Sequence, residues 1–394
     1  MTTAAKHPKQ TVGVVFGGRS AEHKVSIVSA RTVATALRTV GYGVLPLGIA
    51  QDGCWVDPVA GARALDGETD VLAPVGRAIQ RTLRHLVDAE IDVVFPIVHG
   101  TWGEDGTLQG LCEMLDLPYV GTGVASSAVC MDKVMAKQVF AAAGLDVVDG
   151  ETVTRRGWAD DREGVLDRCR RLGAPLFVKP SVGGSSVGVR RVADLDDPAE
   201  GLAAAIDHAL YFDDRLVVER GVDGRELECA VLGHGRLEAS GVGEIVPGQD
   251  FYDYADKYLE DGAELIHAAD LAPEVETEVR RRSVVAMEAV GGSGMARVDF
   301  LLEGDVPYLN EINTLPGFTA ISMYPKLWER AGLAPSALVE RLVEAAIARH
   351  ADRQRLDRGI KAWIAALEDG LSGQDLYRVD LAEIVAKHIG ETER

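Results

Sequence analysis

The sequence predicts an α/β domain with a parallel sheet at the N-terminus, an α+β region of two lobes behind it, and a helical extension at the C-terminus. Three observations predict this. In the first 121 residues short apolar runs alternate with helical patterns, as in βαβ units whose strands pair in parallel beneath covering helices. From there to residue 347, strand candidates follow one another more closely, with glycine turns between them. Beyond 348 the chain becomes highly charged and places its apolar residues at helical spacing.

In chain order, residues 12–16 form a strand candidate ending in Gly17-Gly18, and 27–37 read as a helix. Residues 44–49 and 91–98 are the second and third strands, and 107–115 are a helix. A short segment with a helix at 132–143 leads to a strand at 176–179 and the loop Gly183-Gly184-Ser185-Ser186. Strands at 215–219 and 226–232 are joined by a Val222-Asp223-Gly224 turn, and 295–302 with 307–312 make a hairpin around Gly304-Asp305. In the tail, Leu356, Ile360, Trp363, Ile364 and Leu367 fall on one helical face, and Leu381, Ile384, Val385 and Ile389 on another, with Gly370 to Gly373 between them. These faces suit packing on the body of the protein; a dimer contact is the sharper alternative. The expected divisions are 1–121, 122–218, 219–347 and 348–394.

Bulk properties narrow the function. A chain of 394 residues implies roughly two to four domains at ~100–200 residues each. A composition 47% hydrophobic and 26% charged is that of a soluble globular protein with sizeable cores. The formal charge of −20 argues against nucleic acid or an anionic membrane as partner, although a phosphate site depends only on local charge. The five cysteines, Cys54, Cys112, Cys130, Cys169 and Cys229, form no C-x-x-C pair and read as reduced thiols of a cytoplasmic protein. The first ten residues lack the apolar core of a signal peptide. No apolar run approaches the ~18 residues that cross a bilayer.

Several constellations carry chemistry. Residues 16–23, Phe-Gly-Gly-Arg-Ser-Ala-Glu-His, stand where the first strand meets the first helix, the crevice in which open α/β sheets bind ligands. Glu22 there is favoured by the helix dipole, and equally suits a substrate ammonium. His99 lies at the carboxyl end of the third strand among Gly100, Gly103 and Gly106, facing a ligand of the same crevice. Lys133 is a separate cation. Lys179 ends an apolar strand just before the glycine–serine loop; loop N–H groups and hydroxyls can wrap a phosphate that the ammonium neutralises. The loop is not a G-x-x-x-x-G-K-[ST] P-loop, which disfavours that class. Glu219 and Glu226 bracket a turn and can accept from an adenine amino group or ribose hydroxyls, or serve simply as surface charges.

The strongest local constellation is Arg297-Val298-Asp299 with Glu311-Ile312-Asn313. Alternation places Arg297 and Asp299 on one face of a strand, and Glu311 and Asn313 on one face of the next. Such hard oxygen donors suit Mg²⁺; a cross-strand salt bridge is the alternative. Gly317, just beyond, can offer an N–H to a developing oxyanion. The aromatic run 251–258, with Lys257, follows a proline–glycine pair and suits a loop that closes over a ligand and excludes water.

Together these motifs resemble the D-alanine–D-alanine ligase family. The resemblance rests on the ordered series GGRSAEHKVS, HGTWGEDGTLQG, MDKVMAK, VKPSVGGSSVGV, FYDYADKY, ARVDF and NEINTLPGFTAISMYP, and covers residues 11–347. It implies a pre-ATP-grasp domain followed by a two-lobed ATP-grasp module. It implies a ligase that uses ATP and two Mg²⁺ ions, with Mn²⁺ as a substitute, to join two D-alanines through an acyl phosphate for peptidoglycan precursors. By the same resemblance, Glu22 holds the first ammonium, linked to Ser185 and Tyr258 across a closed loop, and His99 sits nearby. Lys133, Lys179, Ser186, Glu219, Val222, Glu226, Phe251, Lys257 and Asn310 fall to ATP, and Asp299, Glu311 and Asn313 to the metals. Arg297 and the Gly317 N–H stabilise the transition state, and Ser322 and Met323 receive the second carboxylate. Relatives are usually homodimers acting on small molecules, so a homodimer is expected.

Some residues depart from the family pattern. Lys24 stands where relatives often carry an acid, Val182-Gly183 replaces a more polar pair, and the tail from 348 is not typical. An altered acceptor, such as D-serine, D-lactate or another amino acid, is therefore the nearest alternative; Tyr258 argues against lactate. A non-catalytic nucleotide-binding regulator is opposed by the complete set of lysines, metal ligands and arginine. A carboxylase is opposed by the lack of a biotin-related motif.

Overall fold

The structure, a computed structural model, describes residues 10–72, 84, 86–87, 91–246 and 264–356. The chain divides into two compact units, Met1–Ile347 and Ala348–Arg394. The amphipathic helices expected in the tail fall outside the described residues, as does the loop with Phe251, Lys257 and Tyr258. Among the described residues no helix is long and apolar enough to cross a membrane. All five cysteines are free, and all but Cys54 are buried.

Three sheets are present among the described residues of the first unit. The N-terminal sheet has the order β2-β1-β3, from Gly43–Ile49, Thr11–Gly17 and Val93–Pro96, all parallel. The third strand is shorter than expected. Ile97 adds one further bond, to the Val15 carbonyl at 2.8 Å, before the chain turns toward His99. The helices His23–Thr39 and Pro58–Leu65 pack on this sheet through Ile27, Ala30, Val33, Ala34 and Leu37 and through Ala64 and Leu65.

The second sheet is antiparallel, in the order β4-β7-β5-β6: Gly150–Thr154, Arg215–Arg220, Leu176–Pro180 and Arg190–Val192. Its core joins Val178, Leu216 and Val218 to Trp158, Leu166, Leu202 and Ile206 from the neighbouring helices. The third sheet, also antiparallel, has the order β10-β9-β8-β11-β12: Glu264–Ile266, Arg236–Val246, Arg225–His234, Gly294–Glu303 and Val306–Asn313. The helix Lys133–Ala142 precedes the second sheet in sequence, yet its Phe140 lies in the core of the third, with Val279, Val298, Phe300 and Leu309.

The β11–β12 hairpin is as expected. The 222–224 turn is different: β7 and β8 belong to different sheets, so this short connection carries the chain from one lobe to the other. Gly224 makes the crossing possible. A Cβ there would stand 2.1 Å from the Leu302 carbonyl oxygen, so only glycine lets the backbones approach this closely. Gly110, inside the helix Thr107–Met114, has nothing within 4 Å of an added Cβ. Gly224→Ala is therefore expected to destabilise by ~1–3 kcal/mol through overpacking, and Gly110→Ala to stabilise by up to ~1 kcal/mol through helix propensity. Urea denaturation of the two variants measures both; equal midpoints would contradict the crossing constraint.

Candidate active site

Two adjoining cavities lie among these sheets. The first, of about 350 Å³, is lined by Lys133, Lys179, Ser185, Ser186, Glu219, Val222, Glu226, Asn310 and Glu311, among others. The second, of about 290 Å³, is lined by Glu22, His99, Arg297, Asp299, Asn313, Gly317, Ser322 and Met323. Lys133, the loop residues 183–185, Glu226 and Glu311 line both. Every site residue singled out in the sequence lines one cavity or the other, except Phe251, Lys257 and Tyr258, which lie outside the described residues.

The first cavity is built around lysines. Lys133 opens the helix Lys133–Ala142, whose N-cap Asp132 accepts from the Met135 N–H. Residues four apart share a helix face, so Lys137 follows Lys133 toward Glu219. On the facing strands Lys179 pairs with Val217, which puts Glu219 two residues along on the same face. Glu219 then meets both: Lys137 Nζ lies 2.5 Å from Oε1 and Lys179 Nζ lies 2.7 Å from Oε2. Glu219 is only 1% exposed, so the surface-charge reading fails. Burial by itself would raise the carboxyl's pKa; the two ammonium groups override it and hold it down to about 2.

The glycine–serine loop is anchored at its base. Asp132 Oδ1 accepts from the Ser181 hydroxyl at 2.6 Å, its other oxygen pairs with Arg215, and the Lys133 N–H reaches the Ser181 carbonyl at 2.8 Å. Asp213 accepts from the Val182 N–H at 2.7 Å, and Lys133 Nζ donates to the Gly183 carbonyl at 2.7 Å. Above this base Ser185 and Ser186 have φ of 52° and 58°, the left-handed region that costs L-residues roughly 1–2 kcal/mol each. Ser185 Oγ is buried with no hydrogen-bond partner among the described residues. Strain and an unmet hydroxyl at one loop tip are features of ligand clamps.

In the second cavity the hairpin register pairs Arg297 with Asn313 and Asp299 with Glu311. Arg297 Nε and Nη2 donate to the two Asp299 oxygens at 2.8 and 2.7 Å, and Nε also lies 2.9 Å from Glu228 Oε1. The charge pair is thus within one strand, not across the hairpin as the salt-bridge alternative had it. Asn313 Nδ2 donates to Asp299 Oδ2 at 2.8 Å. Burial opposes the guanidinium charge, but Asp299 and Glu228 outweigh it and raise its pKa well above the ordinary value. Two carboxylates and an amide side chain on adjacent registers form an all-oxygen donor set that fits a hard divalent cation.

His99 is buried. Its Nδ1 faces the Leu315 carbonyl at 2.9 Å, Nε2 faces Ser29 Oγ at 3.2 Å, and Glu104 lies 3.7 Å from Nδ1. Burial lowers its pKa, but the bond to Glu104 and the charges of Glu22 and Glu104 raise it overall. Glu22 is the N-cap residue of its helix yet makes no capping bond with its side chain. A Cβ on Gly184 would stand 3.9 Å from Glu22 Oε2, so the glycine–serine loop reaches the first crevice. Gly317 and Ser322 are adjacent: a Cβ on Gly317 would lie 2.9 Å from Ser322 Oγ. Ser322 is the N-cap residue of the helix Met323–Arg330.

Three residues were missed by the sequence reading: Lys137 and Glu228, which are buried, and Glu104, which is half-buried. Each had a signal. Lys137 lies one helical turn from Lys133. Glu104 sits in the same glycine-rich loop as His99. Glu228 is two residues from Glu226 and opposite Asp299 across the β8–β11 ladder.

Two family models match the chain: the D-ala D-ala ligase N-terminus over residues 11–122 and the D-ala D-ala ligase C-terminus over residues 139–344. The chain belongs to the D-alanine–D-alanine ligase family. A D-alanine–D-alanine ligase of Solibacter usitatus (strain Ellin6076) is 45% identical over 352 residues, 88% of this chain and 98% of the relative. The solved D-alanine–D-alanine ligase of Coxiella burnetii superposes with a TM-score of 0.75 at 37% identity, covering 91% of this chain and 99% of that one. A D-Ala:D-Ser ligase structure from Enterococcus faecalis gives a TM-score of 0.73 at 33% identity, covering 86% and 99%.

The depressed Glu219 carboxyl has a consequence for acid stability. A group whose pKa falls on folding contributes stability that is present above its ordinary value of 4.5 and lost as pH drops toward about 2. Glu219→Gln is expected to be less stable than the parent at neutral pH, with a shallower loss between pH 4.5 and 2. Urea midpoints of both chains across that window measure it; parallel curves would contradict the two-lysine clamp.

Proposed function

We propose that the chain is an ATP-dependent carboxylate–amine ligase that joins two D-alanines to D-alanyl-D-alanine through an acyl phosphate. The observation that carries this reading is the shared wall of the two cavities: a lysine-rich phosphate-type pocket and an amino-acid-type pocket meet at Lys133, residues 183–185 and Glu311. Family membership and the activity for which the relatives are named support it.

In this reading Val222, Glu226 and Asn310 line the nucleoside end of the first cavity, with Phe251 from the loop. Lys133, Lys179, Ser186 and Lys257 neutralise the phosphates. Glu22 holds the ammonium of the first D-alanine and turns its carboxylate toward the shared wall. An oxygen of that carboxylate attacks the γ-phosphorus as the bond to ADP breaks. Such a transfer depends on positioning and charge neutralisation, which the lysines and Arg297 supply. Asp299, Glu311 and Asn313 would hold Mg²⁺, two ions with Mn²⁺ as a substitute, which supplies further neutralisation of the phosphate oxygens when bound. Ser322 and Met323, at a helix N-terminus, receive the carboxylate of the second D-alanine. Its amine forms the C–N bond, the C–O bond to phosphate breaks, and the amine gives up a proton. The Gly317 N–H and Arg297 stabilise the charge that develops on the carbonyl oxygen. Ser185 and Tyr258, linked to Glu22, close the site against water, which would otherwise hydrolyse the acyl phosphate.

Neither Lys24 nor Val182 lines either cavity, whereas Gly183 lines both, so of these departures only Gly183 stands where it could bear on the acceptor. D-serine remains the second reading, because the Enterococcus faecalis relative is a D-Ala:D-Ser ligase. A homodimer, a cytoplasmic location, and domain limits near 121, 218 and 347 complete the proposal; the passage between the lobes runs through 221–224. The net charge of −20 favours small-molecule substrates over nucleic acid or membranes.

Phosphate release from ATP and Mg²⁺ is expected with D-alanine alone, with D-alanyl-D-alanine as the product by mass; turnover only when D-serine is added would replace the acceptor. Asp299→Ala should lower turnover by at least about 100-fold, the scale of losing a transition-state electrostatic partner; full activity would refute the metal assignment. Tyr258→Phe should retain ATP binding and raise the KM of the second substrate. Unchanged kinetics would remove the Glu22–Ser185–Tyr258 link.

A further inference from the structure

Lys137 is a buried charge that the proposed mechanism does not use. It does not line either cavity, yet its Nζ lies 2.5 Å from Glu219 Oε1 while Lys179 holds Oε2 at 2.7 Å. Its side chain is 11% exposed, and those of Glu219 and Lys179 are 2% and 15% exposed. Burying an ammonium is unfavourable, and an apolar residue would fill this helix position without that penalty. Burial does push its pKa down, with Glu219 working in the other direction.

Charge counting gives this arrangement a use. Glu219 and Lys179 alone would be a neutral pair, and Lys179 would offer little net field to an anion in the first cavity. With Lys137 on the other oxygen, one carboxylate is shared between two cations and the cluster carries a net positive charge. Glu311 and Glu226, on the other sheet, also act on Lys179, which makes an uncompensated Lys179 still weaker without Lys137. Inside a low-dielectric site such a charge difference acts strongly on a polyanion and hardly at all on a neutral ligand.

We infer that Lys137 is a positioning residue that acts through Glu219, keeping Lys179 available as a net cation for the phosphates of a nucleoside triphosphate. The inference rests on reading the first cavity as the ATP site. It separates Lys137 from Lys133 and Lys179, which face the ligand directly, and from a merely structural lysine.

The test is the affinity of the full-length protein for ATP and for adenosine, measured by calorimetry for the parent and four variants. Lys137→Met is expected to weaken ATP by roughly 10- to 100-fold and to leave adenosine within about twofold. Lys137→Arg should keep the parent's ratio. Removing the carboxylate as well, in Lys137→Met/Glu219→Gln, should regain most of the lost preference for ATP, because Lys179 is then no longer neutralised. A structural role would instead weaken both ligands together and would not be rescued by a second deletion; that result, or an unchanged ATP affinity in Lys137→Met, overturns the inference. Lys179→Met is the control. If it loses ATP affinity while Lys137→Met does not, the inference alone fails; if Lys179→Met binds ATP normally, the ATP-site reading fails with it. Should Lys137→Met not fold, Lys137→Gln carries the same comparison.

Discussion

The buried carboxylate of Glu219 is the tie on which the geometry of the nucleotide-type cavity depends. Lys137 comes from a helix that also sends Phe140 into the core of the five-stranded sheet. Lys179 comes from the middle of the four-stranded sheet. One carboxylate ion-paired with both therefore joins the lobes at the wall of the cavity. Removing the carboxylate would leave two buried ammonium groups without their counter-charge, which is far costlier than losing a surface pair. The base of the glycine–serine loop repeats the arrangement, since Asp132 binds Ser181 and Arg215 at the head of the same helix.

Around this tie the cavities draw on all three sheets. Glu22 and His99 come from the carboxyl ends of parallel strands, where open α/β sheets place their ligands. Arg297, Asp299, Glu311 and Asn313 come from a hairpin whose register sets them in two facing pairs. The loop of Ser185 and Ser186 comes from the four-stranded sheet, and its left-handed residues hold it away from relaxed backbone geometry. Chemistry at the junction is thus assembled from strands and helices, with two left-handed serines in the loop that spans both cavities.

Arg297 occupies a position of electrostatic tension. It is bonded to Asp299 and Glu228, and Asp299 is also the first proposed metal ligand. A cation and a guanidinium compete for the same oxygens, so occupation of the metal site would weaken the hold of Asp299 on Arg297 and leave Glu228 as its remaining anchor.

The sequence by itself determined much of this protein. Its apolar periods gave the parallel N-terminal sheet and the β11–β12 hairpin, because those follow from local alternation and short connections. Its ordered motifs led to the family and to the residues lining both cavities, because glycines, lysines and carboxylates at such turns carry chemistry wherever they occur. Tertiary structure alone decided that β7 and β8 part into different sheets, since a three-residue turn reads the same in a hairpin and in a crossover until the Gly224–Leu302 approach is seen. It alone made Glu219 a buried clamp instead of a surface charge, and recruited Lys137, Glu104 and Glu228. Burial and pairing are properties of what packs opposite a residue, and in each case the partner lies on another element of the chain.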